Sequence, residues 1–265
     1  MNLKLLHIFL LSTAGTFLLC TPFINTVELA NGLVTGKMCW FHLAMLFFSV
    51  CVFFVMLTKK GTVIAFTFSD PLVLFFAGGV LITYKWNLNP EPEKLIFAGQ
   101  LVILWFLLRY VLTAYREFKF FFLFVLMFTG LIEAVWGMQQ LHGYSHSNHS
   151  LFRLTGSFFN PGPYSGYIAV ILPVCLWTAL RFQKGMHYFA WICVGAILIV
   201  LPAGMSRSAW IAAVVACGWV YWTERIGWKK TKAVYIRYKN ATIPFIVIVA
   251  ILAGCTVMEL SLIHI

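Results

Sequence analysis

Residues 118–141 read FKFFFLFVLMFTGLIEAVWGMQQL, and this stretch decides the fold. Lys119 and Glu133 are its only charged residues, and nothing in it alternates apolar with polar as a half-buried strand would. As a helix, its residues rise about 36 Å, enough to cross roughly 30 Å of hydrocarbon. Runs of the same kind recur near 3–24, 38–57, 64–84, 95–115, 163–182, 187–204, 207–223 and 241–258. The expectation is an all-α, polytopic bundle of about nine transmembrane helices forming a single domain over residues 1–259.

Composition agrees. Of 265 residues, 62% are hydrophobic and 10% charged, and the mean hydropathy is +0.90. A soluble domain carries about 25% charged residues, so the polar surface needed to face water is missing. No alternating pattern points to a β-barrel. The first run has the early lysine of a signal peptide but is long and lacks a small-x-small cleavage site, which favours a retained first span. The seven cysteines all lie in or near apolar runs without a CxxC pair, and they read as small hydrophobes.

The net charge of +11 does not imply nucleic acid, because the basic residues sit in short segments between spans. With the N-terminus cytoplasmic, the inner segments hold Lys4, Lys59, Lys60, Arg109, Arg116, Lys119, Arg181, Lys184, Arg225, Lys229, Lys230, Lys232, Arg237 and Lys239. The outer segments hold Lys37, Lys85, Lys94, Arg153 and Arg207. That is the positive-inside bias, and the opposite orientation inverts it. The stretch from Arg225 to Lys239 reads as a topology determinant in contact with anionic lipid. The C-terminus then falls on the outer side.

Two polar motifs also fall on the outer side. The first, RLTGSFFNPGP over residues 153–163, closes the longest outer connector and leads into the sixth span. Asn160 is placed to cap that helix, Pro161 and Pro163 suit its first turn, and Gly156 and Gly162 permit tight turns. The second, GMSRSAW over 204–210, lets Ser206 cap the eighth span with Arg207 in its first turn. Both helices run inward, so both offer free N–H groups and a positive dipole end outward. A cation at such an end costs the helix about 0.3–1 kcal/mol, a placement that makes sense if an external anion is held there.

Two arginines and two helix N-termini are what a phosphate or pyrophosphate site requires, because arginine grips phosphate oxygens in a bidentate way. Snorkelling of Arg207 to the interface and solvation of Arg153 in a loop explain the same residues equally well. Glu133 lies within the fifth span and is a candidate partner for either arginine or for another helix. Asp70, before Pro71, reads mainly as a helix cap. His142, His146 and His149 have spacings compatible with a metal, but no cysteine or carboxylate completes a set, and the surrounding Gly, Ser and Asn read as a flexible loop. No metal or cofactor is expected.

At these motifs the chain resembles the O-antigen ligase and polymerase family of bacterial envelope enzymes. Thr155-Gly-Ser-Phe-Phe-Asn-Pro161 and Ser206-Arg-Ser-Ala-Trp210 are similar, in that order, to two helix-start segments of the family, and Ser208 stands where glycine is more usual. Glu133 to Gln140 is similar to the segment that precedes the first motif. The resemblance covers roughly residues 60–260. It implies a metal-independent, inverting glycosyltransferase in the bacterial inner membrane, acting at the periplasmic face. The donor would be a glycan on a polyprenyl diphosphate, and the acceptor lipid A-core, another glycan or a protein hydroxyl.

Under that resemblance, Arg207, Arg153, Ser206 and Asn160 bind the diphosphate, supported by Glu133, Thr155, Gly156 and Ser157. Arginine would stabilise charge developing on the leaving diphosphate. Polymerisation of lipid-linked repeat units would use the same anionic site. A transporter is the alternative from another class, but apart from Glu133 the mid-span positions are nearly all apolar.

Members of the family carry a further outer loop with another arginine and the histidine proposed to activate the acceptor, so no catalytic residue is assigned here. The ending Leu260-Ser-Leu-Ile-His-Ile265 reads as a non-native tail, and His264 is given no role. The expectation is a truncated, inactive piece of a larger enzyme.

Overall fold

The computed structural model of the chain describes residues 3–26, 32–59, 61, 62, 64, 67, 69–87 and 91–227. Eight α-helices run through them: α1 (Leu3–Leu19), α2 (Gly32–Thr58), α3 (Ser69–Trp86), α4 (Pro92–Ala114), α5 (Phe118–Leu141), α6 (Pro161–Arg181), α7 (Gly185–Val200) and α8 (Arg207–Tyr221). Among the described residues there is no strand. Five segments are long and apolar enough to cross a membrane: α2, α4, α5, α6, and α7 with the turn that follows it to Gly204. The span expected at 241–258, most of the basic stretch before it and the tail at 260–265 lie outside the described residues.

Helix limits follow local chemistry. The segment expected at 118–141 is α5 to the residue. α2 starts at Gly32 rather than at 38, and its early turns are tied back to the chain before it. There Lys37 Nζ donates to the Ile24 carbonyl at 2.7 Å and Trp40 Nε1 to that of Phe17 at 2.8 Å.

The helices pack as two compact units, residues 1–125 and 126–265, with the division inside α5. In the first, Leu11, Phe48, Val52, Val55, Val111 and Phe118 form a buried cluster. Asp70, in the first turn of α3, is fully buried. One carboxylate oxygen accepts from the Thr67 N–H at 2.6 Å, as a cap should. The other accepts from Trp105 Nε1 at 3.0 Å and pairs with Arg109 of α4. The capping expectation therefore describes half of this residue, and Arg109 is an interhelical partner as well as a charge near a helix end.

In the second unit, α6 packs against both α7 and α8. Tyr164, Ile168, Ile171, Cys175, Ala190, Cys193, Ile197 and Ala209 are among its buried residues. Small residues at such contacts let helices approach closely where burial from water offers no driving force. On α5, Gly130 and Gly137 lie seven residues apart on one face. A Cβ at Gly130 would stand 2.8 Å from the Ile171 side chain, and one at Gly137 2.2 Å from the Tyr164 hydroxyl. Side chains from α6, also seven apart, occupy the space these glycines leave.

Candidate functional site

The end of the second unit that carries both polar motifs is built from backbone groups held by a few buried side chains. Thr155, Gly156 and Ser157 form a buried turn between the connector and α6. Gly156 has φ +54°, and a Cβ there would come within 2.4 Å of Glu133 Oε2 and of the Tyr164 ring. Both conformation and space require glycine at this position. Gly162, by contrast, sits in the first turn of α6 with ordinary geometry, which corrects its reading as a turn residue.

Three α5 and connector side chains hold this turn. Gln140, buried near the end of α5, accepts from the N–H groups of Thr155 at 2.9 Å and Gly156 at 2.7 Å through Oε1. Its Nε2 donates to the carbonyls of His146 at 3.0 Å and Gly156 at 3.1 Å. Glu133, wholly buried, accepts from the Ser157 N–H at 3.0 Å. Asn148 donates its amide to the carbonyls of Gly156 and Phe158, both at 3.1 Å. The connector expected to be a flexible loop is thus pinned to α5 at several points. Its His149 accepts from the Leu151 N–H and packs on Phe152 and Phe159.

Both capping expectations hold. Asn160 precedes α6 and accepts from the Gly162 N–H at 3.0 Å. Ser206 precedes α8 and accepts from the Ala209 N–H at 3.4 Å. The two caps belong to one place, because Ser165 in the first turns of α6 donates to the carbonyl of Gly204, just before α8, at 3.0 Å. At the opposite end of α6, Trp177 Nε1 and Arg181 both reach Glu224, in the π-helical turn that continues α8, at 3.1 and 3.6 Å. α6 and α8 are therefore parallel, with both N-termini at the same end of the unit.

Arg153 and Arg207 are both exposed. Arg207 is the first residue of α8, and Arg153 directly precedes the buried Leu154 that leads into the turn. Among the described residues neither guanidinium makes an ion pair, and Glu133 spends an oxygen on the Ser157 backbone instead. The structure thus brings Glu133, Thr155, Gly156 and Ser157 into one buried network and Asn160 and Ser206 to one end, leaving both arginines on the surface.

Four organising residues are absent from the expected site: Gln140, Tyr164, Ser165 and Asn148. Tyr164 is fully buried and donates its hydroxyl to the Glu133 carbonyl at 3.2 Å. The signal for Tyr164 and Ser165 was their position in the first turn of a capped helix. For Asn148 no local pattern was available, since its partners lie eight and ten residues on.

Set against known protein families, curated proteins and solved structures, the chain matches none.

Proposed function

We propose that the chain is the donor-binding part of an O-antigen ligase-type glycosyltransferase, which moves a glycan from a polyprenyl diphosphate to lipid A-core or another hydroxyl acceptor. In this proposal it crosses the bacterial inner membrane about nine times, with its N-terminus cytoplasmic and the two motifs periplasmic. One observation carries the reading: α6 and α8 present capped N-termini at the same end of the second unit, with Arg207 exposed at one of them. An exposed cation at the positive end of a helix is unfavourable on its own and becomes favourable when an anion is held between the two.

The mechanism divides labour accordingly. Arg207 and the positive dipole ends of α6 and α8 receive the diphosphate, and Arg153 adds a second cation from the connector. As the anomeric carbon is attacked by an acceptor hydroxyl, the bond to the diphosphate breaks and its oxygen takes up charge. Donors fixed in advance stabilise that charge without reorganising. The buried network of Glu133, Gln140 and Gly156 keeps the turn rigid, and its side chains position the site rather than touch the substrate.

The test is Arg207→Ala in the full-length gene product, in cells lacking their own ligase, with transferred glycan scored by gel mobility of the acceptor. Loss of one transition-state donor is expected to lower transfer by about 10²-fold or more while membrane insertion stays intact. Unchanged transfer rejects the diphosphate assignment. Longer chains on the lipid carrier, rather than a modified acceptor, would identify polymerisation instead.

A further inference from the structure

The first unit carries a cavity that the proposed glycan site does not use. It measures about 400 Å³ and is lined by the start of α1, the end of α2 and the connector after α4. Its floor is a closed hydrogen-bond set. His7 is buried, with Nδ1 2.5 Å from the Tyr115 hydroxyl and Nε2 2.8 Å from Thr58 Oγ1. Thr58 gives its own proton to the Phe54 carbonyl at 2.8 Å. Nε2–H therefore donates to Thr58, and the Tyr115 hydroxyl donates to Nδ1. Every polar group of the floor is spent within the protein, so the floor is a rigid support and the walls are left to bind.

Two ammonium groups stand in those walls. Lys59 donates to the Ala114 carbonyl and lies 3.9 Å above the Tyr115 ring. An ammonium has three donors, and these contacts fix its position without consuming them all. Lys4 bridges to Glu117 at 2.8 Å, and this hydrogen bond holds the Glu117 carboxyl below its ordinary value. Glu117 is the one carboxylate in the lining against two lysines. Arg116 and Lys119 lie exposed on either side of it in sequence, so the local charge is positive.

The rim is apolar. Leu3 lines the cavity and is half-exposed, and the neighbouring Leu5 and Leu57 are more exposed still. A basic recess bordered by exposed leucines at the end of membrane helices lies where acyl chains give way to headgroups.

We infer that this cavity is a binding site for the phosphodiester headgroup of an anionic phospholipid, held by Lys59 and Lys4. The rim leucines meet the acyl chains, which a free phosphate would leave exposed. The site is independent of the glycan-transfer reading.

The test is native mass spectrometry of the full chain released from micelles containing phosphatidylglycerol or phosphatidylcholine, with inorganic phosphate as a third arm. Two lysines set against one carboxylate should give a preference of roughly fivefold for the anionic lipid. Lys4→Gln with Lys59→Gln should abolish that preference. Leu3→Trp, which fills the mouth and keeps both charges, should lower retention of the lipid as well, and it decides the matter if the double variant does not fold. Equal retention of the two lipids, or a preference unchanged in Leu3→Trp, overturns the site. Phosphate displacing the lipid at comparable concentration overturns the lipid as its occupant.

Discussion

Ser165 and Gly204 join the two polar motifs: the hydroxyl on α6 donates to the carbonyl that precedes α8. The contact is tight, since a Cβ on Gly204 would lie 2.0 Å from Ser165 Oγ. Gly204→Ala must push the serine away and break the bond. The expected cost is about 1–3 kcal/mol, as for other overpacked sites. Ser165→Ala removes the obstructing oxygen, so the double variant should melt above the sum of the single losses in a thermal unfolding series. Strict additivity would show that the two residues do not act through this contact.

Gly156 and Gly162 stand six positions apart in one motif and should respond in opposite ways. Alanine at 156 meets both a left-handed backbone and Glu133 Oε2 at 2.4 Å, and should destabilise by about 2 kcal/mol or more. Alanine at 162 enters a helical turn, its nearest neighbour Asn160 Oδ1 at 3.6 Å, and should be neutral or gain up to about 1 kcal/mol. Apparent melting temperatures of the two variants check the contrast.

That contrast shows what the sequence could and could not say. Pro161 and Asn160 announce the start of α6 through chemistry that is local, and Ser206 does the same for α8, so both caps were legible. The apolar run of α5 was legible because its length alone excludes a strand. Glu133 reads in the sequence as a partner for an arginine or for another helix, because its charge is visible there. One partner that the structure shows, the Ser157 N–H, lies 24 residues on and is a backbone group like any other. The same blindness applies to Arg109 and Asp70, 39 residues apart. Periodicity carries helices, and capping carries their ends. Which side chains meet across a connector depends on packing that no local pattern encodes.

Gln140 makes the strongest claim on the connector. Its amide satisfies two N–H groups and two carbonyls between His146 and Gly156. Gln140→Leu keeps the volume but leaves the buried Thr155 and Gly156 N–H groups unmatched, each costing about 1–3 kcal/mol, while the Gly156 carbonyl keeps its bond from Asn148. The connector, rather than the helices, should be released. Limited proteolysis is expected to cut between residues 142 and 160 much faster in the variant, with α6 and α7 still protected. Cleavage at the wild-type rate would show that Asn148 and Glu133 suffice to hold the turn.

The pair between Asp70 and Arg109 allows a sharper test, because removing one charge and removing both have opposite expectations. Asp70 is fully buried and Arg109 mostly so. Arg109→Leu leaves a carboxylate without its countercharge, and among the described residues the Thr67 and Trp105 donors remain. That variant should lose about 3 kcal/mol, the usual cost of an uncompensated buried charge. Asp70→Asn combined with Arg109→Leu removes both charges while the asparagine oxygen still accepts from one of those donors. It should recover most of the loss, because desolvating two charges costs nearly as much as their attraction returns. If the double variant were instead less stable than Arg109→Leu alone, the ion pair itself would be the stabilising element, and its burial would not carry the penalty argued here.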